Sequence, residues 1–295
     1  MTYSHVPVML KEVLEYLQAK PGQKFIDGTL GGAGYTLALA KAVGKSGKIL
    51  SFDLDELAIK NAEIEIARSK LDNVTLVLDN FKNVKKVVAD LLPLKTKFDG
   101  FVLDLGLSSA QLDDEQRGFS FKGERPLDMS FGKKNTRSTE EIINNYSVVE
   151  LTRIFLEYGE ERAAYRLAQA IVNARKIKSL KSTTDLINLI ETVIHSRYQS
   201  KLNPATKIFQ ALRMETNEEL DVLSAVLPDV LELLKPGGRL VVVSFHSGED
   251  RIVKRFFKDS DRLRILTNKP VVPGMVEINT NPRARSAKLR AAILE

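Results

Sequence analysis

The sequence predicts an α/β fold, a doubly wound and mostly parallel sheet with an inserted all-helical domain, on three observations. Strand-like and helix-like stretches alternate up to about residue 110, the pattern of parallel strands joined by helical crossovers. From about Leu112 to Asn203 no strand pattern appears and helix-start signals come close together. A strand buried on both faces by its composition then returns at Arg239–Phe245. The expected division is residues 1–112 and 206–295 for the sheet domain and 113–205 for the helical insert.

In order, Lys24-Phe25-Ile26-Asp27 is a short apolar strand entering a glycine cluster, and Thr36–Val43 follows as a helix. Lys48–Asp53 is the second strand. Leu57, Ile59, Ala62, Ile66 and Ala67 then recur on one helical side. Val74–Leu78 and Phe98–Leu105 are the third and fourth strands. In the insert, Ser138-x-x-Glu141 and Ser147-x-x-Glu150 read as capping boxes and Ser182-x-x-Asp185 as a looser one. Asn203-Pro204 reads as an N-cap followed by proline at the first helical position. The stripe Leu220, Leu223, Leu227, Val230, Leu231, Leu234 ends at Lys235-Pro236-Gly237-Gly238, and Pro228 within it predicts a kink or a break. Ala291–Leu294 is a short final strand.

Composition narrows the function. The 295 residues are 43% apolar and 28% charged, enough for a sizeable core. No apolar run approaches the roughly 18 residues of a membrane helix, and Met1–His5 lacks the pattern of a secretory signal. With no cysteine, disulfides, thiolate zinc sites and cysteine nucleophiles are excluded, which fits a cytoplasmic location. Three histidines (His5, His195, His246) make a dedicated metal site unexpected. The net charge of +6 is concentrated at one end: residues 251–295 carry 11 basic and 4 acidic side chains, a net of +7. That asymmetry suits a phosphate backbone or, equally, a solvated basic tail.

The strongest local signal is Asp27-Gly28-Thr29-Leu30-Gly31-Gly32-Ala33-Gly34-Tyr35 between the first strand and its helix. Such a turn lets a ligand approach backbone at a helix N-terminus. Its glycines do not fit G-x-G-x-x-G, which argues against a nicotinamide-dependent oxidoreductase. The turn resembles instead the acidic-plus-glycine first motif of S-adenosylmethionine methyltransferases. Asp53 ends the second strand, where a carboxylate can accept from both hydroxyls of a ribose. Phe81, after Asp79-Asn80, can lie against an adenine or serve as ordinary core. Asp27, Asp53, Asp79 and Asp104 all fall at strand ends and are expected to converge on one crevice, suited to a cationic sulfonium.

Together with Asp104-Leu105-Gly106-Leu107-Ser108-Ser109-Ala110-Gln111-Leu112-Asp113, Arg117–Phe121, Pro126–Met129, Tyr158–Arg162, Phe209–Arg213, Ser244–Ser247 with Glu249–Arg251, and Asn281–Ser286, this turn strongly resembles the MraW/RsmH family of ribosomal RNA methyltransferases. The likeness runs in order from His5-Val6-Pro7 to the C-terminus. It implies a fold of S-adenosylmethionine methyltransferase type, S-adenosylmethionine as cofactor, and methylation of the exocyclic N4 of a cytidine in small-subunit ribosomal RNA. Cofactor contacts would fall on Ala33, Gly34, Tyr35, Asp53, Phe81, Asp104 and Gln111. The insert, which interrupts the sheet and carries Arg162, Arg166, Arg175, Lys176, Lys178 and Lys181, is expected to help hold RNA, although any one of these residues can equally belong to a solvated charged face. Tyr35 stands where the family usually has His, Gly248 where it has Leu, and Ser130 where it has Arg. Asp104 is the expected catalytic acceptor, at the cytosine amine or at the cofactor's amino group. His246 serves either in proton removal or in structure. A non-catalytic RNA-binding module with a degenerate pocket is the other reading, and methyl transfer from labelled cofactor separates the two.

Overall fold

The computed structural model describes residues 7–114, 116–120, 123–132, 137–194 and 204–295, which fall into two compact units. His5, His195 and the Asn203 cap lie outside the described residues. The first unit, Met1–Ser108 with Leu220–Glu295, carries the sheet. It opens with helix α1 (Leu10–Leu17), followed by β1 (Lys24–Asp27), α2 (Gly34–Val43), β2 (Lys48–Asp53), α3 (Glu56–Arg68), β3 (Val74–Leu78), a 3₁₀ turn at Phe81–Asn83, α4 (Val84–Leu91) and β4 (Phe98–Asp104).

The second unit, Ser109–Glu219, is built of helices among its described residues: α5 (Ser109–Asp113), α6 (Thr139–Asn145), α7 (Val148–Glu157), α8 (Ala164–Ile177), α9 (Thr183–Val193) and α10 (Pro204–Thr216). All three capping boxes form with both reciprocal bonds, at Ser138/Glu141, Ser147/Glu150 and Ser182/Asp185. Each satisfies backbone N–H groups that a helix start would otherwise leave without acceptors. Helix α10 packs on α6, α7 and α9, so it groups with this unit and the division falls after Glu219 instead of at residue 205.

The chain returns to the sheet through α11 (Glu219–Leu233), β5 (Leu234–Ser244), α12 (Ser247–Asp259), β6 (Leu263–Ile265), α13 (Met275–Thr280), a 3₁₀ turn at Pro282–Ser286 and β7 (Lys288–Leu294). The sheet has seven strands in the order β3-β2-β1-β4-β5-β7-β6. The first five are parallel, and β7 pairs antiparallel with both β5 and β6. Of the kink or break expected at Pro228, the break does not occur: the proline sits inside one helix whose Val226, Leu227, Val230 and Leu231 are all buried. Their packing offsets the lost intrahelical bond. The turn expected at residues 235–238 is taken up inside β5, where Phe98 pairs with Leu234 but Gly100 with Arg239. Four residues are looped out there, with Gly237 at a φ of 80°.

Both faces of the sheet are covered, and strand residues alternate between them. Ile26, Leu50, Phe101, Leu103, Leu240 and Val242 pack with α4, α11 and α12, whereas Phe25, Ile49, Val102, Val241 and Val243 pack with α1 and α2. This two-sided burial puts the carboxyl ends of β1 to β4 at one edge of the layered core, where ligands of open parallel sheets bind. No helix among the described residues is long and apolar enough to cross a membrane.

Candidate functional site

The carboxyl ends of β3, β2, β1 and β4 lie side by side, so Asp79, Asp53, Asp27 and Asp104 line one edge as expected. The β1–α2 turn is tied to that edge by its own backbone. Gly28 N donates to the Val102 carbonyl (2.9 Å), Leu30 N to that of Phe52 (2.8 Å) and Gly31 N to Asp53 Oδ2 (2.8 Å). Ala33 caps α2 with a φ of 63°, in the left-handed region that disfavours a side chain, and with no side-chain cap bond. At Gly34 a Cβ would come within 2.6 Å of the Pro7 ring, so only glycine lets Pro7–Met9 cross the turn. That crossing segment is pinned twice more, by the Tyr35 hydroxyl donating to the Val8 carbonyl and by Met9 N donating to Glu277 Oε1 (2.6 Å).

Asp27 is fully buried and accepts from Thr29 N (3.1 Å) and Thr36 Oγ1 (2.7 Å); Thr36 Oγ1 in turn meets Ser51 Oγ at 2.6 Å. Burial pushes the Asp27 carboxyl up to about 6, opposed by the Thr36 and Thr29 hydrogen bonds. Asp53 holds two backbone amides, Asp55 N on Oδ1 (2.9 Å) and Gly31 N on Oδ2 (2.8 Å). Its carboxyl is also raised to about 6, by desolvation against those bonds. Asp104 N donates to Thr29 Oγ1 (2.6 Å), while Asp104 Oδ1 is buried with no hydrogen-bond partner. Burial drives the Asp104 carboxyl well above the usual carboxylate range, the charges of Asp27 and Glu249 add to this, and the nearby Tyr35 hydroxyl opposes it. Among the described residues no lysine or arginine forms an ion pair with Asp27, Asp53 or Asp104.

The remaining expected residues are placed as follows. Asp79 Oδ1 accepts from Asn80 N (2.8 Å) and Asn83 Nδ2 (3.0 Å), which orders the turn carrying Phe81. Phe81 is partly buried and packs against the core beneath that edge. Gln111 is buried on α5, in the second unit. His246 caps α12: Nδ1 accepts from Gly248 N (3.1 Å), and Glu249 completes the box, accepting from His246 N (3.0 Å). Sequence reasoning overlooked the Thr29 hydroxyl under Asp104, the Thr36–Ser51 pair under Asp27, and the buried Glu249. Of these, Thr29 had a signal, since it lies inside the glycine motif.

With its antiparallel β7 set between β5 and β6 and its acidic, glycine-lined strand ends, the first unit has the architecture of a Rossmann-like methyltransferase. The fold is shared with a crystal structure from Clostridium thermocellum, described as a candidate rRNA-methylase, at a TM-score of 0.51 and 15% identity over 99% of this chain and 100% of that one. The chain belongs to the MraW methylase family, matched over residues 2–294. It is 44% identical to a Geobacter sulfurreducens protein and 42% identical to one from Heliobacterium mobile, each over 99% of both chains. Both relatives are named ribosomal RNA small subunit methyltransferase H.

Proposed function

We propose that this methyltransferase transfers a methyl group from S-adenosylmethionine to the exocyclic N4 of a cytidine in small-subunit ribosomal RNA, in the cytoplasm. The observation that carries this reading is the buried Asp104 Oδ1, lacking a hydrogen-bond partner among carboxylates that no basic side chain neutralises. Such a site suits a cation and a donor amine better than a pyrophosphate. The relatives' names support the ribosomal substrate.

Ala33, Gly34 and Tyr35 would hold the cofactor at the start of α2, Asp53 through its ribose, and Phe81, Asp104 and Gln111 through its remaining polar and ring contacts. When bound, S-adenosylmethionine supplies an electrophilic methyl on a sulfonium. The N4 lone pair forms the new N–C bond as the methyl–sulfur bond breaks, and one N4 proton leaves. Asp104 accepts a hydrogen bond from that amine, which orients the lone pair and gives the departing proton an acceptor. The absence of cysteine favours N4 over ring carbon C5, since C5 chemistry calls for a covalent thiolate adduct. The test is transfer of labelled methyl to small subunits, followed by digestion to nucleosides. N4-methylcytidine is expected; label at C5 or no incorporation would overturn the reading.

Asp53→Ala is expected to weaken cofactor binding by about 1.5–3 kcal/mol, the worth of a hydrogen bond to a charged group. It also releases the Gly31 amide and so loosens the turn itself. Calorimetry on the folded variant checks this, and unchanged affinity would remove Asp53 from the site.

The basic C-terminal region divides in the structure. Arg283 and Arg285 are exposed on the 3₁₀ turn before β7, whereas Arg290 is buried and makes a two-pronged ion pair with Asp250, at 2.6 and 3.2 Å. Arg290, one of the 11 basic residues counted there, is therefore a structural residue. Joint Arg283→Ala and Arg285→Ala substitution should lower the slope of log RNA affinity against log salt by roughly 0.7–0.9 per contact. Arg290→Ala should leave the slope unchanged and lower stability, because it leaves the largely buried Asp250 charge with only the longer ion pair to Lys288, at 3.9 Å.

A further inference from the structure

Helix α8 (Ala164–Ile177) has two faces of opposite character. Ala164, Leu167, Ala168 and Ile171 are buried in the second unit, while Tyr165, Arg166, Gln169, Asn173 and Lys176 are exposed along the other side. Arg162, in the turn just before, is exposed as well. The helix contains no acidic residue over its 14 positions, although the whole chain carries 38 acidic against 44 basic side chains. A solvated helix face in such a chain ordinarily mixes both signs, with i,i+4 pairs of opposite charge. Here the expected acidic partners are replaced by Gln169 and Asn173.

Tyr165 is 57% exposed, a large aromatic ring turned to the surface. Gln169 Nε2 donates to the Tyr165 hydroxyl (2.9 Å), which restrains the ring against the helix surface. A restrained aromatic ring among cations, with amides beside it, matches the chemistry that binds unpaired nucleotides. Bases stack on the ring, cations take phosphates, and amides reach base edges or sugar hydroxyls. A duplex offers no base face to such a ring, so the feature favours a single strand over a helix.

We propose that the exposed face of α8 is a docking surface for a single-stranded stretch of RNA, with a base stacked on Tyr165 and phosphates held by Arg162, Arg166 and Lys176. This rests on the reading of the protein as an RNA methyltransferase and adds where and in what form the RNA is held. At 1.5 Å per residue the face runs about 20 Å, long enough to follow several consecutive nucleotides.

The test uses the full chain in two arms. Binding of a short single-stranded oligoribonucleotide and of the same sequence as a duplex is measured across a salt series for the wild type, Tyr165→Ala, Tyr165→Phe, and the triple variant Arg162→Ala, Arg166→Ala, Lys176→Ala. Methyl transfer to small subunits and cofactor affinity are measured in parallel. Tyr165→Ala is expected to weaken single-strand binding on the order of tenfold, with Tyr165→Phe close to wild type. The triple variant should lower the salt slope by about 2, at roughly 0.7 per phosphate on a single strand. Cofactor affinity should not change in any of them. If the wild type methylates subunits but the triple variant keeps its slope, α8 is a solvated face and the inference falls. Equal losses on single strand and duplex for Tyr165→Ala would overturn the stacking assignment. A wild type that methylates no RNA would overturn the underlying reading instead.

Discussion

Asp104→Ala is expected to lower methyl transfer by about 10²–10³-fold while leaving the protein folded, the loss typical of removing one preorganised electrostatic contact from a reacting centre. The side chain sits at the end of β4, its backbone fixed by the Thr29 hydroxyl at 2.6 Å, and its Oδ1 is buried with no partner. A carboxylate held this way costs the fold free energy, and a positively charged donor beside an amine N–H removes that cost. Asp104→Asn keeps the volume but turns one acceptor into a donor, so it should fall nearly as far as alanine. The pH profile gives a second check. Burial and the charge of Asp27 raise the Asp104 carboxyl, so the wild-type rate should climb with pH as Asp104 ionises. The asparagine variant should lack that limb. Turnover within a few-fold of wild type at saturating cofactor would show that Asp104 only shapes the pocket.

The legible parts of this fold were those with a period or a punctuation mark. Short apolar runs alternating with helical stretches identified β1 to β5, because a sheet covered by helices calls for apolar strands, and the serine-led boxes located α6, α7 and α9 because a helix start needs side-chain acceptors. Strand β6 left no pattern, being three residues with only Leu263 buried. At Pro228, where a kink or a break was expected, the helix does not break, because four buried neighbours hold it together against the loss of one backbone bond.

At the site, strand-end position was enough to gather Asp27, Asp53, Asp79 and Asp104, since parallel strands of one sheet share an edge. What each carboxylate touches was not legible. Thr36 and Ser51 are ordinary polar residues in sequence, and only the fold brings them to 2.6 Å under Asp27. Charge counting likewise treated Arg290 as equal to Arg283, although β7 turns one towards Asp250 and the other precedes the strand. Counting records charge but not direction.

Asp27→Asn should stabilise the fold at neutral pH and weaken the hold on the cofactor. In the unfolded chain the group titrates near 3.8, and in the fold near 6, because it is fully buried. Between those values the folded state binds more protons than the unfolded one, so rising pH lowers stability across that window and has no further effect above it. At about 1.4 kcal/mol per pH unit, the ionised group costs the fold about 3 kcal/mol at pH 8. Asparagine has no charge to bury. Its oxygen can still accept from Thr29 N, and its NH₂ can donate to Thr36 Oγ1 if that hydroxyl turns towards Ser51, 2.6 Å away. The Thr36 amide, which also bonds to Asp27, loses a charged acceptor and offsets part of the gain. A net gain of about 1–3 kcal/mol at pH 8 is expected, most of it gone by pH 4 and the rest below about pH 3, where Asp27 is protonated in both states. Urea unfolding of the two proteins at matched pH values measures this difference directly. A gap of the same size at pH 4 and pH 8 would mean that Asp27 is charged in the fold throughout. Calorimetry with S-adenosylmethionine should run the other way, with the wild type gaining affinity as pH rises through 6 and the variant showing a weaker dependence. An affinity that does not follow the ionisation of Asp27 would separate this charge from cofactor binding.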